Sequence, residues 1–145
     1  HPYSLSAGPR PDSMRITVKD LGDQSGSLAT LAPGTPVFVE GPYGAFRADR
    51  RTSDRLVLIG AGVGITPLRA LLDELPRQVR ADVIYRVHSE PAPLVDELHR
   101  IAAPGRTGHA GVAGCLAQQP AAGAQRVRGH RRARFVPLRL RTVQR

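Results

Sequence analysis

The 145-residue sequence lacks Trp and has only three Phe, three Tyr, one Met and a single cysteine, Cys115. One cysteine excludes an internal disulfide and a cysteine metal cluster, which fits a reducing compartment. No apolar run approaches the roughly 20 residues that a membrane-spanning helix needs, so the chain reads as soluble. No charged-then-apolar leader opens it, and the abrupt start at His1-Pro2-Tyr3, without Met, reads as the start of a fragment. Apolar residues still make up 41%, enough for the core of one domain. At this length any second domain must be incomplete.

Acid is scarce in one place only. Residues 1–97 hold 11 Lys and Arg against all 12 Asp and Glu, whereas residues 98–145 hold 10 Arg, no Lys and no acid. The net charge of +9 is therefore a property of the tail, not of the whole chain. A solvated Arg-rich tail attracts phosphate, which leaves a nucleic-acid or acidic-membrane partner as an alternative for that segment alone.

What is present begins with a strict alternation over residues 13–19. Met14, Ile16 and Val18 fall on one face and Arg15, Thr17 and Lys19 on the other, the period of a half-buried strand. Residues 35–40, after the Pro33-Gly34 turn, predict a second strand. Between them, Leu28 and Leu31 suit a short helix over 25–31, with Asp23 and Ser25 as capping candidates. Two strands around a short helix suggest part of an antiparallel barrel.

After a polar linker the pattern changes. Leu56-Val57-Leu58-Ile59 is a continuous apolar run, as in a parallel strand buried on both faces. Glycines at 60, 62 and 64 follow, then Thr66 and Pro67, which suit the N-cap and first position of a helix. Leu68, Leu71, Leu72 and Leu75 mark the buried stripe of that helix, and Pro76 ends it. Residues 82–87 predict the next strand, and Leu94, Val95, Leu98, Ile101 and Ala102 the next helix. Strand, helix, strand, helix over 55–103 is a parallel crossover unit plus its successor. Beyond about residue 104 the periodicity fails. Only residues 134–143 offer a weak strand pattern, through Leu138 and Leu140 and interrupted by Pro137, and no fold is assigned there.

The segment with most chemical content is residues 59–67, Ile-Gly-Ala-Gly-Val-Gly-Ile-Thr-Pro. Glycines between a buried strand and a helix let the backbone approach a pyrophosphate, and free amides with the positive helix end favour an anion there. The usual dinucleotide fingerprint would need glycine at 65, where Ile stands, and a tight turn with no ligand is the competing reading. His88, His99 and Cys115 have no metal-ligand spacing, and no Ser, His and Asp arrangement suggests hydrolysis.

Four further motifs surround this turn in order: His1-Pro2-Tyr3-Ser4-Leu5, Val18-Lys19 with Gly22-Asp23-Gln24-Ser25, Glu40-Gly41-Pro42-Tyr43-Gly44, and Tyr85-Arg86 ahead of Asp96-Glu97-Leu98. Together they resemble the ferredoxin-NADP reductase superfamily, in the branch of ferric reductase-like proteins and NADPH oxidases. The resemblance covers residues 1 to about 103. It implies an antiparallel, FAD-binding β-barrel fragment followed by a parallel α/β nucleotide-binding domain, both incomplete.

It also implies roles. Tyr3 would pack on the flavin ring, with Ser4 as the catalytic candidate through a hydrogen bond near N5, and His1 and Pro2 would lie beside them. Lys19, Gly22 and Ser25 would hold the FAD diphosphate. Gly60, Gly62, Gly64, Thr66 and Pro67 would hold the nicotinamide dinucleotide, and Arg86 would read the 2′-phosphate of NADPH in preference to NADH. The implied parent is a flavin-dependent NAD(P)H oxidoreductase that passes electrons to ferric iron, haem or an iron-sulfur protein. It would sit on the cytoplasmic side, with membrane attachment only through that parent and no nucleic acid expected.

The implied organisation is a partial barrel at 1–46, a linker at 47–54, a partial nucleotide-binding domain at 55–103 and an Arg-rich tail at 104–145. The barrel strands that precede the Tyr-Ser segment in the family are missing. A late Cys-Gly-Pro motif is missing too, since Leu116 follows Cys115. The tail begins near the point where the resemblance ends, as a GC-rich gene read out of frame, or a disordered tail, would give. A non-catalytic nucleotide-binding remnant is the alternative from another class.

Overall fold

The computed structural model describes residues 1–87, 92, 94–102, 115–117 and 135–141. Its strands are β1 (Ser13–Lys19), β2 (Arg55–Ala61), β3 (Arg80–Val87), β4 (Cys115–Ala117) and β5 (Phe135–Arg141). Its α-helices are α1 (Asp23–Ser27), α2 (Ile65–Glu74) and α3 (Val95–Ala102).

The core belongs to the α/β part. Strands β2, β3 and β4 form a parallel sheet in that order, with Leu58 opposite Val83 and Gly60 opposite Tyr85. Alternation along β3 turns Ala81, Val83, Tyr85 and Val87 inward and Arg80, Asp82 and Arg86 to solvent. Ile65, Leu68, Leu71 and Leu72 of α2, with Leu75 beyond its end, recur at helical spacing and cover that inner face. Leu98 of α3 joins the same cluster. Each such side chain contributes roughly 1.5–3 kcal/mol of burial. The helix stops at Glu74 because Pro76 biases Leu75 to the extended backbone it adopts.

The other face of this sheet corrects the expectation of a strand buried on both sides. Val57 and Ile59 of β2 are 63% and 72% exposed. Both α2 and α3 join the inner cluster, so among the described residues no helix covers the outer face.

The barrel expectation is corrected as well. Strand β1 forms as expected and pairs antiparallel with β5, Ile16 opposite Leu138, while Leu5 bridges Ile16 on its other side. Residues 35–40 form no strand, and Phe38 there is fully exposed at 100%. No closed barrel exists among the described residues; strand pattern without a neighbouring strand to accept its hydrogen bonds does not hold a sheet. The short helix begins earlier than expected, at Asp23, and continues as a 3₁₀ turn at Leu28–Thr30. Gly22, not Asp23 or Ser25, is its N-cap.

The tail contributes two strands where no fold was assigned. Its weak alternation around Leu138 and Leu140 becomes β5, with Pro137 opposite Thr17 of β1. Pro137 is tolerated on β5, whose partner in this two-stranded sheet is β1 alone.

A charge cluster joins the β1 region to the α/β core. Arg15 donates through both terminal guanidinium nitrogens to the two Glu97 carboxylate oxygens, each at 2.9 Å. Arg69 of α2 donates through Nε to Glu97 at 3.1 Å, and its Nη1 lies 2.6 Å from Asp73. Asp73 accepts from the Gly8 amide at 3.0 Å, and Arg15 also donates to the Ser6 carbonyl. Two guanidiniums balance two carboxylates, which offsets the cost of taking them partly out of water.

Burial pushes the Glu97 carboxyl up, but the hydrogen bonds and charges of Arg15 and Arg69 outweigh it and hold the group below its ordinary range. A lowered folded-state value makes this contribution full above the unfolded carboxylate range, near pH ~4.3, and lost as pH falls further. Urea unfolding should therefore show a stability difference between the native chain and Glu97→Gln that is largest near neutrality and shrinks below pH ~4. A difference independent of pH contradicts this. Leu71→Ala in the α2 stripe should cost about 2–5 kcal/mol in the same measurement.

Candidate functional site

The glycine turn is built by close packing. A Cβ on Gly60, at the end of β2, would lie 2.9 Å from Cδ1 of Leu68 and 3.4 Å from the Gly64 carbonyl oxygen. Glycine there lets the start of α2 press against the strand it follows. Gly62 has φ +52°, the left-handed region that suits glycine, and turns the chain out of the strand. A single 3₁₀ turn, Gly62–Gly64, then leads directly into α2 with Gly64 as N-cap.

Thr66 and Pro67 sit inside the helix, two positions further in than their expected N-cap and first-turn places, because α2 begins at Ile65 with Gly64 as N-cap. The Thr66 side chain is buried, and its hydroxyl donates to the Val63 carbonyl at 2.9 Å. It braces the turn and does not cap the helix. Above the turn there is room: a Cβ on Gly62 or Gly64 would meet nothing within 4 Å. Close backbone approach with free space outside it leaves room for an anion such as phosphate at the start of the helix.

Beneath the turn lies Tyr85, a residue to which the sequence reading gave no role. Its side chain is buried, and its hydroxyl donates to the Gly62 carbonyl at 3.1 Å. The signal was available: a lone Tyr among the small and aliphatic inward positions Ala81, Val83 and Val87 needs a partner for its hydroxyl.

The flavin-side candidates are less enclosed. His1, Pro2, Tyr3 and Ser4 are exposed, and antiparallel pairing with β1 starts only at Leu5. The following Ser6 is fully buried, with its hydroxyl accepting from Thr17 at 2.8 Å. Lys19 ends β1, and β1 runs beside the Gly62–Gly64 turn, so the strand that carries Lys19 is brought to the glycine turn. Gly22 opens onto free space, but the Ser25 hydroxyl is already engaged, accepting from the Leu21 amide at 2.8 Å and donating to the Gly22 carbonyl at 3.2 Å. Ser25 is therefore a brace of the turn before α1.

Arg86 is exposed on the outward side of β3, opposite the face that α2 covers. Tyr43, in the turn after residue 40, donates to Glu40 at 2.6 Å, a bond that raises its pKa. Two surface hollows, of about 290 and 40 Å³, are lined by Arg47, Arg51 and Glu74 among others, and by residues between Ala7 and Arg15. Neither includes a candidate residue. Among the described residues no cluster of His, Cys, Asp and Glu could hold a metal, and no helix is long and apolar enough to cross a membrane. His88 lies outside the described residues.

The packing at Gly60 predicts that Gly60→Val destabilises by roughly 1–3 kcal/mol through overpacking against Leu68 and Gly64. Gly64→Ala, at helical φ with open space around it, should be neutral or stabilising by up to about 1 kcal/mol. Thermal unfolding of both variants checks the pair, and equal losses would contradict the geometry.

Comparison with known proteins agrees with the coarse part of the sequence resemblance. The chain is 26% identical over 95 residues to dual oxidase 1 of Caenorhabditis elegans, covering 60% of this chain and 6% of that protein. It is 25% identical over 117 residues to a superoxide-generating NADPH oxidase heavy chain of Dictyostelium discoideum, covering 68% and 22%. With respiratory burst oxidase homolog protein E of Arabidopsis thaliana it shares 31% identity over 100 residues, covering 52% and 10%. The chain thus spans less than a quarter of the length of these curated relatives. No protein-family model and no solved structure matches it. The relatives are oxidases by name, and the similarity supports a general oxidoreductase role.

Proposed function

We propose that this chain is the part of a flavin-dependent NAD(P)H oxidoreductase at which the nicotinamide dinucleotide meets the flavin. The observation that carries the reading is the turn at residues 60–67. It joins a parallel strand to a helix, is pressed close at Gly60 and is open above Gly62 and Gly64. Similarity to a superoxide-generating NADPH oxidase supports the same cofactor class.

In this reading the amides at the start of α2 and the positive end of that helix hold the dinucleotide phosphates. Arg86, exposed at the end of β3, pairs with the adenosine 2′-phosphate by charge and fork geometry, which favours NADPH. Tyr3 offers an exposed aromatic face to the flavin ring, Ser4 a hydroxyl near its N5, and Lys19 and Gly22 charge and backbone to its diphosphate. The flavin, when bound, supplies the redox chemistry between the nicotinamide and an acceptor such as ferric iron, haem or an iron-sulfur centre. The protein supplies position and electrostatics.

The flavin side is open among the described residues, so flavin retention should be weak. Purified chain reconstituted with FAD should show a bound-flavin absorbance band that bleaches on NADPH addition, at a slow rate. Gly64→Ala should keep the fold and weaken NADPH binding severalfold, because its methyl takes the space left for phosphate. A chain that binds NADPH but cannot be reconstituted with flavin supports the other reading, a nucleotide-binding remnant without electron transfer. A chain that binds neither contradicts both.

A further inference from the structure

The Tyr85–Gly62 hydrogen bond has a directional consequence that rests on the reading of the turn as a dinucleotide site. Gly62 is the residue with φ +52°, and its carbonyl accepts from two donors, the Tyr85 hydroxyl at 3.1 Å and the Ile65 amide. A trans peptide is planar, so its N–H points opposite to its C=O. Drawing the Gly62 carbonyl toward the buried phenol therefore turns the Val63 amide away from the core. Val63 stands at the start of the 3₁₀ turn, where an amide has no acceptor within the turn. Its side chain is also among the exposed apolar groups, so the backbone there is on the open side of the molecule.

We infer that Tyr85 is a positioning residue for nucleotide binding: from within the core it fixes the Gly62–Val63 peptide plane so that the Val63 amide faces the dinucleotide phosphates. Glycine at 62 makes the plane easy to turn, and the phenol adds a second restraint to the one that the Ile65 amide provides. The ring itself fills the core between Val83 and Val87, and that packing survives the loss of one oxygen atom.

The test is calorimetric titration of the whole chain and of Tyr85→Phe with two probes, NADPH and adenosine 2′-monophosphate, which lacks the diphosphate. The variant should bind NADPH roughly three- to tenfold more weakly, the loss of about one net hydrogen bond, and bind the monophosphate as the native chain does. Tyr85→Met, an apolar side chain without a donor, should repeat the pattern if the smaller change is masked by a shift in folding. Equal affinity for NADPH in native and variant chains overturns the inference while leaving the proposed function standing. Equal weakening of both probes also overturns it, since a general packing role would do that. No binding of NADPH by the native chain removes the proposed function and this inference together.

Discussion

The arrangement depends on Glu97. Its carboxylate takes a two-pronged bond from Arg15 on β1 and a third from Arg69 on α2, while Glu97 itself lies on α3. One side chain thereby ties a strand near the start of the chain to two helices of the α/β core, across a sequence separation of 82 residues from Arg15. Burial of Leu58, Val83 and the α2 leucines holds the core together, but apolar burial has no direction. The charge cluster supplies direction, because a planar guanidinium opposite a carboxylate admits few geometries. Together with the contacts of β1 to the Gly62–Gly64 turn, it fixes the segment that leads from Tyr3 and Ser4 into β1 against the α/β core.

The turn follows from backbone contacts more than from side chains. Gly60 permits the approach of helix to strand, Gly62 reverses the chain, and Thr66 and Tyr85 brace it from within. These four residues have different reasons for being what they are. At this turn the space over Gly62 and Gly64 is open, and that is where the proposed phosphate lies.

Much of the α/β part was legible in the sequence because its signals are local. An apolar run, three glycines and leucines at helical spacing give β2, the turn and α2 within a residue or two. Of the barrel part only β1 was legible, because a strand exists only with a partner: residues 35–40 have strand composition and form no strand, whereas the weaker pattern at Leu138 and Leu140 becomes a strand beside β1. The expectation that β2 is buried on both faces failed for a related reason, since a run such as Leu56 to Ile59 reports hydrophobicity and not which helices cover it. The Arg69 and Asp73 pair can be read from a spacing of four. The bond between Arg15 and Glu97 cannot, as nothing in either neighbourhood points to the other.

The central claim is that phosphate of an adenine dinucleotide rests on the backbone at residues 60–66. Amide hydrogen exchange of the whole chain, with and without saturating NADPH, addresses it at the atoms concerned. The account predicts protection concentrated at Gly62 to Ile65, with little change in α3. Unchanged exchange at the turn, with protection confined to the Arg-rich segment beyond residue 104, would contradict it.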